Sequence, residues 1–195
     1  MYVLFEGIDG VGKSTQISLL ARKFPNAIVT KEPGGSEFGK FARQILLENN
    51  LFLSSRAELL LFLADRAEHM QKLIMPNKDK LILSDRGFVS GISYAITNDK
   101  SLNIKELLAM NEFALNGVLP EKIIFFYANK ILVKQRLFER KTQDKIEARG
   151  LEYLLKVQEN MHKFLQSQSF DTLFIDASKT EDQIHGKIVD FLGFS

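Results

Sequence analysis

Five short runs in this chain, residues 2–6, 27–30, 80–85, 122–127 and 172–176, are largely apolar on successive positions rather than alternate ones. A strand with one wet face alternates apolar and polar side chains. Unbroken runs of Ile, Leu, Val and Phe belong in a sheet covered on both faces. Between the runs, apolar residues recur at helical spacing, which predicts helices near 13–24, 37–48, 55–75, 87–97, 103–116, 130–140, 150–167 and 180–192. The third of these carries Leu59, Leu60, Phe62, Leu63, Ala67, Met70, Leu73 and Ile74, a wide apolar face. Strands alternating with helices imply right-handed crossovers, a mostly parallel sheet, and a ligand crevice at the strands' carboxyl ends. The expected fold is therefore α/β, with a five-stranded parallel sheet flanked by helices in three layers. The 195 residues show no repeat, low-complexity tract or linker, so a single domain over 1–195 is expected.

Composition removes several classes of function. A formal charge of +2 is too small for a general nucleic-acid surface, so no nucleic-acid partner is expected and any basic site must be local. The chain has no cysteine, which rules out disulfides and thiolate metal sites. No apolar run approaches the roughly 18 residues of a membrane span. The N-terminus enters β-structure without a basic and apolar leader. A cytoplasmic protein without a membrane partner is expected.

The most specific chemistry follows the first run. Gly7-Ile8-Asp9-Gly10-Val11-Gly12-Lys13-Ser14-Thr15 has the G-x-x-x-x-G-K-S spacing, placed between a strand-like run and a helix-like one. This is a P-loop: its backbone N–H groups converge on phosphate oxygens, and the following helix points its positive end at the same anion. Lys13 can reach the β- and γ-phosphates, and the Ser14 hydroxyl can ligate Mg²⁺. A bare glycine turn would have no use for Lys13 and Ser14. A three-layer P-loop NTPase that binds ATP with Mg²⁺ is the expectation.

Residues 130–150 bring Lys134, Arg136, Arg140, Lys141, Lys145 and Arg149 together with Glu139, Asp144 and Glu147. Such a stretch can be a solvated helix face laced with i,i+4 pairs. Beside a triphosphate it can also form a basic lid, about 137–150, that closes on the transferring phosphoryl group. A P-loop alone leaves motor, switch and transfer enzymes open. The chain lacks an Asn/Thr-Lys-x-Asp guanine-reading segment.

Five segments taken in order resemble the thymidylate kinase family of nucleoside monophosphate kinases. They are Phe5 to Ser14 with a carboxylate at Asp9, and Lys31-Glu32-Pro33-Gly34-Gly35, close to the family's R-E-P-G-G. Next come Leu61-Phe62-Leu63-Ala64-Asp65-Arg66, then Asp85-Arg86 with Ser90 and Tyr94. The last is Asp144-Lys145-Ile146-Glu147, followed by Ile175-Asp176-Ala177-Ser178. The resemblance implies transfer of the γ-phosphoryl of ATP to thymidine monophosphate, and a homodimer. It also implies a residue set. Residues Gly7 to Thr15 with Arg136 hold ATP, and Ser14 and Asp85 hold the metal. Glu32, Pro33, Arg43, Phe62, Arg66, Arg86, Ser90 and Tyr94 hold the acceptor. Asp9 contacts the acceptor sugar's 3′-hydroxyl, directly or through Mg²⁺. Catalysis falls to Lys13, Asp9, Arg86 and a lid cation. Family members with an arginine at the position of Gly10 use it; Gly10 here assigns that role to the lid, with Arg140 first and Arg136 and Lys145 next.

Physical chemistry supports several of these assignments. Phe62 and Arg66 are i,i+4 on one helix, so a ring can stack on a pyrimidine while a guanidinium donates to its O4. Cytosine presents an amino donor there and would leave the Arg66 donors unpaired. Plain core packing for Phe62, a salt bridge for Asp85-Arg86, a turn cap for Asp9 and a surface position for Arg43 remain open. Three positions depart from the family pattern: Gly87, Ala95 and Gly91. The small residue at Gly91 is expected to open room near the sugar where a ribose 2′-hydroxyl would sit. His69, His162 and His185 show no ligand spacing and read as surface or packing residues. The apolar excess on helices 37–48 and 55–75 also fits a homodimer. The rival functions are another pyrimidine nucleotide or deoxynucleoside kinase, and a nucleotide-sensing P-loop module without transfer activity.

Overall fold

The computed structural model describes residues 1–49, 51–138 and 149–194. Five strands, β1 (Tyr2–Glu6), β2 (Ile28–Lys31), β3 (Ile82–Asp85), β4 (Lys122–Tyr127) and β5 (Thr172–Asp176), form one sheet in the order β2-β3-β1-β4-β5. Every pairing is parallel, with Tyr2 opposite Ile82 and Val3 opposite Lys122 on the two sides of β1. The central strand is buried along its whole length: Tyr2 to Phe5 as their unbroken apolar run requires, and the Glu6 carboxylate with them.

Among the described residues the α-helices are α1 (Lys13–Lys23), α2 (Glu37–Arg43), α3 (Ser55–His69), α4 (Phe88–Asn98), α5 (Ile104–Ala114), α6 (Lys130–Phe138), α7 (Leu151–Gln166) and α8 (Glu181–Leu192). All eight fall where the spacing predicts them, with two differences of form. The 37–48 segment continues past α2 as a π-turn over Gln44–Glu48. The 55–75 segment leaves α3 as a π-turn over Met70–Ile74 and a 3₁₀ turn over Met75–Asn77. Pro76 has no N–H to continue an α-ladder, which accounts for the second ending. Helix α1 packs with α8, while α3, α4, α5 and α7 pack among themselves. The chain reverses its direction of strand addition at β1, so the crevice expected of such a sheet opens at the carboxyl end of β1 and its neighbours.

Candidate active site

The loop after β1 turns sharply enough that Gly7 takes a φ of 138°, and a Cβ there would lie 2.6 Å from the Phe126 carbonyl oxygen. Only glycine fits both conditions. The turn delivers Lys13, the first residue of α1, back under the loop, where Nζ donates to the Gly7 and Ile8 carbonyls at 3.0 and 3.1 Å. Burial and the Arg86 cation push the Lys13 ammonium below its usual range.

Strand β3 brings Asp85 to the same point, 3.8 Å from Lys13 Nζ, with Ser14 Oγ donating to its Oδ2 at 3.4 Å. The other oxygen, Asp85 Oδ1, is buried without a hydrogen-bond partner. A carboxylate oxygen that makes no hydrogen bond and has only the Lys13 ammonium at 3.8 Å, beside a hydroxyl, fits a hard cation.

Arg86, at a φ of 72°, turns its side chain into the crevice. Its Nη2 donates to Asp9 Oδ2 at 2.7 Å, and its Nη1 to the Gly7 carbonyl at 2.9 Å and to Ser90 Oγ at 3.2 Å. Burial works against the charge on Arg86, yet Asp9, Tyr94, Asp85 and Glu6 together hold it firmly cationic. Ser90 is itself clamped: its N–H donates to Glu6 Oε1 and its hydroxyl to Glu6 Oε2. Burial pushes the Glu6 carboxyl up, against the opposing effect of the Ser90 bonds and the Arg86 charge. Glu6, noted in the sequence only as part of the loop motif, therefore sits behind the expected site as its support.

Two cavities adjoin here. One, about 470 Å³, runs along the P-loop from Asp9 to Gln16 and is closed by Arg136, Lys179, Glu181 and Ile184. Arg136 straps its far side, donating from Nη1 to the Gly10 carbonyl and from Nη2 to the Ala177 carbonyl, each at 3.0 Å. The other, about 320 Å³, is walled by Pro33, Arg43, Phe62, Arg66, Ser90 and Tyr94, with Glu32 and Arg86 among its further lining. Asp9, Ser14 and Asp85 line both. Of the residues expected to hold ATP, Asp9 to Thr15 and Arg136 line the first cavity and Gly7 and Ile8 line neither, while the residues expected to hold the acceptor line the second.

Within the acceptor cavity the roles divide. Phe62 is half-buried in the wall, and Arg43 donates from Nη1 to the Pro33 carbonyl at 3.1 Å. Glu32 spends its carboxylate inside the protein. Oε2 lies 2.8 Å from both Nε and Nη2 of Arg66, and Oε1 lies 2.9 Å from His69 Nδ1. Burial alone would raise the Glu32 carboxyl, but Arg66 and His69 bring it below its ordinary value. His69, read as a surface or packing residue, is fully buried and bridges Glu32 to Thr30 Oγ1 at 2.8 Å. Its position three residues after Arg66, on the same helix face, was the available signal. His162 packs among Phe125, Tyr127 and Phe174, and His185 meets Gln16 at 3.1 Å.

Gly91 lines the acceptor cavity, and the space its missing side chain leaves is bounded by Arg66. A Cβ there would lie 3.1 and 3.2 Å from Nη1 and Nη2 of Arg66, so the guanidinium already bounds it. Gly87 rests on Leu4, whose Cδ1 would be 2.8 Å from a Cβ at position 87. Of the lid, residues 139–148, with Arg140, Asp144 and Lys145, lie outside the described residues.

The thymidylate kinase family model matches residues 5–188. This chain belongs to the thymidylate kinase family. It is 60% identical over 194 residues to the thymidylate kinase of Campylobacter concisus, and 58% identical over 194 residues to that of Campylobacter curvus, covering all of both chains in each case. The fold also matches a crystal structure of thymidylate kinase from Ehrlichia chaffeensis, at 25% identity and a TM-score of 0.78, over 99% of this chain and 98% of that one. Family membership covers the P-loop, both cavities and the last strand alike.

Proposed function

We propose that this chain is a nucleoside monophosphate kinase that transfers the γ-phosphoryl group of ATP to thymidine 5′-monophosphate, yielding ADP and thymidine diphosphate. One observation carries this reading: two cavities, one lined by a P-loop and one by an aromatic ring and arginines, share a wall of Asp9, Ser14 and Asp85. In-line transfer needs donor and acceptor phosphates to meet at one point, and a sensing module needs only the first cavity.

In this reading the P-loop amides and Lys13 hold the β- and γ-phosphates, and Arg136 closes the donor cavity. Ser14 and Asp85 would hold Mg²⁺, which would supply neutralisation of phosphate charge. Arg86 aligns the acceptor phosphate while Asp9 contacts the sugar's 3′-hydroxyl. Phe62 stacks on the thymine and Arg66 donates to its O4, with Pro33, Arg43, Ser90 and Tyr94 completing the wall. Glu32 serves by holding Arg66. No general base is required, because a monophosphate oxygen is already ionised near neutral pH. Gly10 leaves the loop without its own arginine, so the cation that meets the transferring group belongs to the lid, with Arg140 first.

The protein works as a homodimer in the cytoplasm. An apolar groove between α3 and α5 supports the dimer: Leu60 and Phe113 stand exposed beside Leu63, Ala64, Ala67 and Ala109. Among the described residues, no helix is long and apolar enough to cross a membrane.

Measuring ADP formation from ATP with and without thymidylate tests the reading, alongside deoxyuridylate, deoxycytidylate and thymidine as acceptors. Strong stimulation by thymidylate is expected. Stimulation by none of the acceptors supports a sensor, and preference for thymidine supports a nucleoside kinase.

A further inference from the structure

Arg66 is held from two directions before any ligand arrives. Glu32 takes Nε and Nη2 along one edge, and Asn111 of α5 accepts from Nη1 at 2.5 Å. Asn111 is fully buried behind the guanidinium. Its amide cannot turn over, because Nδ2 donates to the Leu107 carbonyl at 2.7 Å and a reversed amide would set N–H against N–H. The carbonyl therefore always faces Arg66, so Asn111 is a fixed acceptor.

Gly91 defines where the guanidinium ends. The position of a Cβ there is nearly equidistant from Nη1 and Nη2, at 3.1 and 3.2 Å, and 3.5 Å from Cζ. Those three distances put the position ahead of the terminal fork. A side chain at 91 would press on the fork's open end; glycine leaves that end facing the acceptor cavity, which both residues line.

We propose that Asn111 and Gly91 determine the base specificity of the acceptor cavity: Asn111 orients the Arg66 fork and Gly91 keeps its end open. This rests on the reading of Arg66 as the group that meets the base. A pyrimidine with a carbonyl at its 4-position accepts from the fork. One with an amino group there faces donors with donors and leaves buried N–H groups unpaired. Asn111 lies outside the cavity and acts only through Arg66, so it is a positioning residue. It stands at the i+4 position from Leu107 on the buried face of α5, a polar residue where the periodicity calls for an apolar one.

The test is the ratio of kcat/KM for thymidylate to that for deoxycytidylate, read in the full-length enzyme with saturating ATP. Asn111→Leu is expected to lower the ratio at least about tenfold, with KM for ATP unchanged. Asn111→Asp preserves the acceptor and is expected to hold the ratio within about threefold. Gly91→Ala, on the far side of the same fork, is expected to lower the ratio and raise KM for thymidylate more than it changes kcat. A purely structural role for either residue would lower both substrates in step and leave the ratio intact. The proposal is overturned if the ratio survives in folded Asn111→Leu and Gly91→Ala. If Asn111→Leu does not fold, Gly91→Ala decides the matter alone. Arg66→Lys separates the two levels. An unchanged ratio there overturns the reading of Arg66 itself, whereas a reduced ratio there with none in the other variants overturns only the part assigned to Asn111 and Gly91.

Discussion

Replacing Glu32 with Gln asks whether this residue touches the acceptor or acts by holding Arg66. The side chains are only 3% and 2% exposed, and one carboxylate oxygen takes two guanidinium nitrogens at 2.8 Å. Removing one partner of such a pair strands a buried charge, at a cost of about 3–5 kcal/mol. Gln keeps a neutral acceptor in nearly the same place and recovers on the order of 1 kcal/mol. A net loss of about 2–4 kcal/mol is expected, which for a domain of this size lowers Tm by roughly 10 °C. KM for thymidylate should rise at least about tenfold while KM for ATP stays within about twofold, since the donor cavity has no part in the pair. The decisive assay is a double-mutant cycle with Arg66→Met, scored by urea unfolding and by KM for thymidylate. If Glu32 acts through Arg66, its replacement adds little once Arg66 is gone, giving a coupling of about 2 kcal/mol or more. Additive effects within about 0.5 kcal/mol would refute the assignment, and a rise in KM that persists in the Arg66→Met background would return Glu32 to the ligand surface.

Three further outcomes are expected. On the proposed metal role of Asp85, Asp85→Asn should raise the Mg²⁺ concentration for half-maximal turnover by about 10-fold or more, read by Mg²⁺ titration at fixed ATP; an unchanged titration overturns that role. Arg140→Ala should lower turnover by ~10³ with little change in KM for ATP, and normal turnover moves that role to Arg136 or Lys145. Asp65, whose carboxyl is pushed up to about 6 by burial and by the Glu32 charge, accepts from the Gly34 N–H. Between its ordinary 3.8 and about 6 the native state holds the proton more tightly, so this group lowers stability as pH rises through that window. Asp65→Asn keeps an acceptor for Gly34 and should gain up to about 3 kcal/mol over the parent at pH 8, with the advantage fading toward pH 4. Parallel urea midpoints for both proteins across that range would contradict it.

Much of this molecule is legible from local pattern. Residues 2–5 and 123–126 belong to strands covered on both faces because apolar side chains occupy successive positions rather than alternate ones, and the structure buries all of them. The P-loop spacing fixes a strand, a turn and a helix start without any distant partner. Phe62 and Arg66 could be paired from one helix turn. His69 and Asn111 could not be assigned in the same way, because their partners lie 37 and 45 residues away along the chain. Gly91 is only partly legible for a related reason. A missing side chain reads as space, yet the neighbour that bounds that space belongs to another helix.

By itself, then, the sequence determines the order of strands and helices, the phosphate cradle, and the family to which the chain belongs. These follow from backbone periodicity and turn chemistry, whose range is a few residues. Only the tertiary structure decides that Glu32 and Asn111 meet Arg66, that Glu6 supports Ser90, and that Asp9, Ser14 and Asp85 form the meeting point of two cavities. Burial turns a charged residue into either a ligand-binding group or a support, according to which partner desolvation forces upon it, and that partner is chosen by the packing of distant segments.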